Sequence, residues 1–227
     1  MKRSEINAKM AEALEFFGKF SFKLPSWATW SPAQWKKKGK ECDEIRKSRL
    51  GWDITDFGLG NFDRFGLLLF TIRNGRYGDK SSTKTYAEKI MISKPKQETP
   101  MHFHWKKMED IINRGGGDLV MQLWKADKNE QLSTKEFTIQ CDGITKNIKP
   151  GGKIRLKPGE SITLEPYVYH RFWAEKEACL IGEVSMVNDD ATDNRFYNKI
   201  GRFPEIEEDE KPLYLLCNEY PPAVKTK

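Results

Sequence analysis

The chain has 227 residues, 38% of them hydrophobic and 32% charged, enough for one sizeable domain with a buried core. Its 39 Lys and Arg are interleaved with 33 Asp and Glu, so the net charge of +6 does not gather into the basic tract that nucleic-acid binding needs. No apolar run approaches the roughly 20 residues that span a bilayer, the N-terminus has no signal-peptide core, and four scattered cysteines do not make a disulfide scaffold. A cytoplasmic protein with neither a nucleic-acid nor a membrane partner is expected.

In chain order, Ser4 precedes Ile6, Met10, Ala13, Leu14 and Phe17, spaced for one face of a helix that stops at Gly18. The aromatic stretch from Phe20 to Trp30 reads as core packing. A second helix is expected from Ser31-Pro32, where Ser can cap and Pro fits the first turn, to about Leu50, weakened at Gly39.

From Gly66 the pattern changes to short β-rich runs: 67–73, 87–93, 99–105, 109–113, 119–126, 135–141, 153–157, 161–165, 169–174 and 178–187. Turn formers punctuate them, including Gly115 to Gly117, Asp142-Gly143 and Pro158-Gly159. So many strands without intervening helices predict an all-β fold, an antiparallel barrel or a two-sheet sandwich. The expected organisation is a single structural domain: a helical N-terminal extension over 1–65, a barrel over 66–190, and a C-terminal segment over 191–227 covering it.

Two of the three histidines, His102 and His104, lie two apart, so on a strand both point to one face. Glu109 is an odd number of positions beyond His104 and can join them only across a turn, which Trp105 to Met108 can supply. His170 belongs to a third strand, with Val168 and Phe172 on the same face. Three imidazoles and a carboxylate make up a first shell for a divalent metal, and on an octahedral ion they leave about two positions open. Mn²⁺ and Fe²⁺ fit this mixture, and Co²⁺ and Zn²⁺ are possible.

The spacing His102-Phe-His104, Glu109, Gly116 resembles the first motif of the cupin superfamily, and Pro158-Gly159 through Pro166 to His170 resembles the second, one residue off the usual spacing and with Ala174 where Asn is common. The longer stretch from Thr99 to Gly117, with Val187 to Asp190 and Asp193 to Phe196 downstream, resembles the D-lyxose ketol-isomerase family over most of the chain. That resemblance implies a cupin-type antiparallel β-barrel (jelly roll), Mn²⁺ as cofactor, a homodimer, and interconversion of free pentoses and hexoses: D-lyxose with D-xylulose, D-mannose with D-fructose.

Aldose–ketose isomerisation needs a group to move a proton between C2 and C1, and with all three histidines engaged as ligands that group is not an imidazole. Glu205 is the expected base with Lys107 as its partner. Lys89, Glu183, Asp190 and Arg195 are candidate sugar-binding residues, with Phe172 as an apolar wall. The alternatives are a phosphosugar isomerase, for which no GxxxxGKS phosphate loop is present, a cupin dioxygenase using Fe²⁺, and a non-enzymatic sugar-binding cupin.

Overall fold

The computed structural model describes residues 1–224, so the last three residues of the expected 191–227 segment lie outside the described residues. Helix α1 (Arg3–Lys19) buries Ile6, Met10, Ala13 and Phe17, the face set by its periodicity. Its N-cap is Lys2, whose amide donates to Glu5, and the Ser4 hydroxyl donates to Asp209, 2.7 Å away, tying the helix to the C-terminal segment.

The expected long second helix is broken into α2 (Pro32–Trp35), a 3₁₀ turn and α3 (Asp43–Lys47). Ser31 and Gln34 form a reciprocal capping box on α2, but Gly39 is extended at ψ −155° and interrupts the helix.

The strands are β1 (Gly51–Thr55), β2 (Leu67–Arg73), β3 (Tyr86–Ser93), β4 (Thr99–Phe103), β5 (Glu109–Lys125), β6 (Phe137–Cys141), β7 (Ile144–Ile148), β8 (Gly152–Leu156), β9 (Ser161–Leu164), β10 (Val168–Met186) and β11 (Arg195–Phe196). Every named ladder is antiparallel. β1 adds to β2, so the first 65 residues are not purely a helical extension; their end is built into the sheet.

Residues 109–126 and 168–187, expected as two strands each, form one long strand each, bent in the middle. The last part of β10, Cys179–Met186, pairs with β3 and with the start of β5. Its first part, Val168–Glu175, pairs with the end of β5 and makes contacts with β4. Both long strands thus run through two facing half-sheets, β1-β2-β3-β10-β5-β9-β6-β7 and β11-β4-β10-β5-β8. Among the described residues this ladder folds over without closing into a ring. Gly115 to Gly117 make the corner rather than a turn: Gly116 has φ +88°, and a Cβ there would sit 2.1 Å from the Ala178 carbonyl.

Side chains alternate into two cores. Leu67, Leu69, Met91 and Ile111 fill the space between the half-sheets, while Leu68, Phe70, Ile90 and Ile92 face α1. This explains the uninterrupted apolar run at Leu67–Phe70, a strand buried on both faces. Full burial of Ile6, Met10 and Phe17 against it contributes about 1.5–3 kcal/mol each. No described helix is long and apolar enough to cross a membrane.

Candidate metal centre and adjoining cavity

His102 lies on β4 and pairs directly with His170 on β10, while His104 follows β4 by one residue. The Nδ1 atoms of His102 and His170 lie 2.8 and 3.0 Å from the carbonyls of Pro100 and Val168, two residues back on their own segments. His104 Nδ1 meets the Asp193 carbonyl. Carbonyls only accept, so each Nδ1 carries the proton and each Nε2 keeps its lone pair. Ligand atoms of the three rings lie within 4.8 Å of one another.

The segment between His104 and β5 is the expected turn, shaped by one side chain. The Asp193 carboxylate accepts the backbone N–H groups of Trp105, Lys106 and Lys107 at 2.9–3.0 Å. This places Glu109, at the first position of β5, with Oε1 3.3 Å from His170 Nε2 and 3.6 Å from His104 Nε2. Its Oε2 lies 2.6 Å from Lys107 Nζ.

From Lys107 a buried chain of charges continues. Glu183 Oε1 accepts from Lys107 at 2.9 Å and from Lys89 at 3.0 Å. Asn188 Oδ1 accepts from the same lysines at 3.3 and 2.7 Å, and its amide donates to Asp190 at 2.8 Å. Arg202 stands 3.5 Å from Asp190 and 2.5 Å from Asp53.

Lys89, Lys107, Glu109 and Glu183 are each 3–4% exposed, so their charges survive by pairing. Burial pushes Glu109 upward, but Lys107, His104 and His170 outweigh it and hold its carboxyl well below the usual carboxylate range. The same contest, won by Lys107 and Lys89, keeps Glu183 ionised. Burial lowers Lys107, yet Glu109 and Glu183 raise it above an ordinary lysine. Burial, with His170 and His104 adding to it, depresses His102, and burial with Lys107 takes His104 down to about 3, so both rings are neutral as ligands must be.

The structure therefore gathers His102, His104, Glu109, His170, Lys107, Lys89, Glu183, Asp190 and Phe172 around one cavity. Two expected residues are not brought to it. The Arg195 guanidinium turns away to Glu130, 3.0 Å off, and to the Phe196 carbonyl. Glu205 is exposed, and its carbonyl accepts from the N-terminal ammonium at 2.8 Å, placing it beside α1 and away from the cavity lining. Asn194, Phe196 and Arg202 line the cavity instead. Asn194 and Phe196 lie in the quoted downstream motif; nothing in the sequence marks Arg202 or its partner Asp53.

The D-lyxose isomerase family model matches residues 1–220. D-lyxose/D-mannose isomerases of Escherichia coli O157:H7 and Serratia proteamaculans are each 48% identical over 223 residues, covering 97% of this chain and 98% of the relative. Among solved structures, a mutant L-ribose isomerase of Acinetobacter sp. DL28 in complex with L-ribose superposes with TM-score 0.60 at 12% identity, covering 90% of this chain and 98% of that one. The L-ribose isomerase of Geodermatophilus obscurus gives 0.60 at 15%, with the same coverage. At such identities the structural likeness bears on the fold alone.

Proposed function

Because the chain belongs to the D-lyxose isomerase family and is an isomerase, we propose that it interconverts D-lyxose with D-xylulose and D-mannose with D-fructose, depends on a divalent metal, Mn²⁺ first, and works as a homodimer. The observation that carries this is the convergence of three Nδ1-anchored imidazoles and Glu109 beside the buried Lys107–Glu183–Lys89 chain.

The donor set fits such an ion. His102, His104, Glu109 and His170 would hold it, all buried and with Nε2 lone pairs and a carboxylate oxygen turned inward. When bound, a divalent ion supplies Lewis-acid stabilisation of charge developing on the sugar oxygens.

The chain's own residues account for the rest. Glu183 is an ionised carboxylate at the cavity wall and no histidine is left over, so it is the group that carries the proton between C2 and C1. It takes over the role expected of Glu205. Lys107, protonated between two carboxylates, donates to the sugar oxygen whose charge changes. Phe172 and Phe196 give the apolar wall against which a polyol ring or chain packs.

The test is conversion of D-lyxose, D-mannose and mannose 6-phosphate by metal-stripped protein re-supplied with Mn²⁺, Fe²⁺, Co²⁺ or Zn²⁺ in turn. Metal-dependent ketose formation from the free sugars is expected. Silence with all three despite stoichiometric metal binding, or oxygen uptake with Fe²⁺, would sink the isomerase reading.

A further inference from the structure

With Arg202 and Asp190 in place, the cavity beside the imidazoles is too small for a sugar. Its volume of about 40 Å³ holds roughly three waters at about 10–15 Å³ apiece. Next to it lies a polar cleft of about 410 Å³, lined by Ser48, Asn74, Arg76, Ala191 and Asn218 among others, within the size range of small-molecule sites.

The two spaces share a wall. Asp190 lines both, Asp53 faces the cleft, and Arg202 faces the cavity. The Arg202 guanidinium joins the two carboxylates, 2.5 Å from Asp53 and 3.5 Å from Asp190. Asn188 completes the wall: it lines the cleft while its side-chain oxygen accepts from Lys89 and Lys107 inside. Asp53 comes from β1, Asp190 from just after β10 and Arg202 from beyond β11. Three separate segments thus meet through side chains.

We propose that, granting the sugar-isomerase reading above, the outer cleft is the access chamber for the free sugar and the Asp53–Arg202–Asp190 bridge is the gate to the metal centre. A monosaccharide suits this gate chemically. Its hydroxyls donate to carboxylates and accept from a guanidinium, so bonds lost as Arg202 swings aside are replaced by bonds to the passing sugar. An apolar molecule of the same size offers no such exchange and would leave buried charges unsatisfied.

The experiment places an indole in the chamber. Ala191 is exposed, lines the cleft and is absent from the cavity lining, and its methyl makes no hydrogen bond that a substitution would remove. Ala191→Trp is expected to lower kcat/KM for D-lyxose and D-mannose about tenfold or more, while kcat stays within about twofold. Metal content and Tm should match wild type, and Ala191→Ser should behave as wild type. Asn218→Trp, on the opposite part of the sequence but the same cleft, provides a second probe if the first variant is unstable.

Wild-type protein that converts no aldose would remove the underlying reading and the access chamber with it. A wild type that converts aldoses, with both tryptophan variants folded and unimpaired, would overturn the access chamber and its gate and leave the isomerase reading standing.

Discussion

Lys107 Nζ lies 2.6 Å from Glu109 Oε2, so this carboxylate gives one oxygen to an ammonium and turns the other toward His104 and His170. Lys107 is also 2.9 Å from Glu183, and it therefore separates two buried negative charges. Lys107→Met removes the ammonium that pairs with both. Loss of one partner from a buried pair costs about 3–5 kcal/mol, and urea unfolding of the metal-free variant should show a loss of that order. A change below about 1 kcal/mol, typical of an exposed pair, would contradict this account of the chain.

Metal retention follows from the donor set. His102→Ala and Glu109→Gln should each cut metal content and activity together, with the fold intact by circular dichroism, because the first removes a buried donor and the second replaces a buried carboxylate by a neutral amide. Asp193→Ala tests the supporting layer. Its carboxylate accepts three backbone N–H groups of the turn that positions Glu109, so metal affinity should weaken about 10–100-fold, as for other outer-shell partners. Unchanged affinity by competition titration would show that the turn holds itself.

Acid should destabilise the metal-free protein. His104 is down to about 3 in the folded state and His102 is depressed in the same direction, whereas an unfolded histidine titrates near about 6.5. Below that value the unfolded chain binds more protons, so stability falls as pH drops from about 6.5 toward 3. Glu109, depressed as a carboxylate, adds to the loss below about 4.5. Melting of chelated protein at pH 7.5, 6 and 5 should give steadily lower Tm; a flat or rising Tm over that interval would count against neutral buried rings.

The corner of the sheet gives a prediction about the fold itself. Gly116→Ala meets the Ala178 carbonyl at 2.1 Å and takes a left-handed backbone angle of +88°. The dihedral alone costs about 1–3 kcal/mol, and the clash adds to it. Gly143→Ala, also at positive φ but with nothing within 4 Å, should cost only the dihedral part. Equal losses in the two variants would mean that the bend is looser than drawn.

The same corner marks what the residues did and did not announce. Alternation and turn formers located most strands from Leu67 onward, and two-residue spacing put His102 and His104 on one face. A triple glycine reads as a turn, because sequence does not distinguish a chain that reverses from one that bends while its partner bends with it. β1 does alternate, Trp52 and Ile54 against Asp53 and Thr55, but over only five residues, Gly51–Thr55, and β7 has four of its five residues exposed, so neither stands out as a strand. Asp53 and Arg202 meet across 149 positions, a pairing no local pattern encodes. The exposure of Glu205 and its backbone tie to the N-terminus are likewise set by the fold and not by any local pattern.

Whether Glu183 or Glu205 is the base can be decided by a paired substitution. Glu205→Gln removes a charge from an exposed side chain near α1, and kcat/KM should stay within about twofold of wild type, as surface changes rarely exceed about 0.5 kcal/mol. Glu183→Gln keeps the shape and the hydrogen-bonding oxygen for Lys107 and Lys89 but cannot take a proton, so kcat should fall about 10²- to 10⁴-fold. KM and metal content should change little, since Glu183 contacts the lysines rather than the imidazoles. The reverse pattern, a silent Glu183→Gln and a crippled Glu205→Gln, would return the base to the C-terminal segment and require that segment to rearrange when sugar binds.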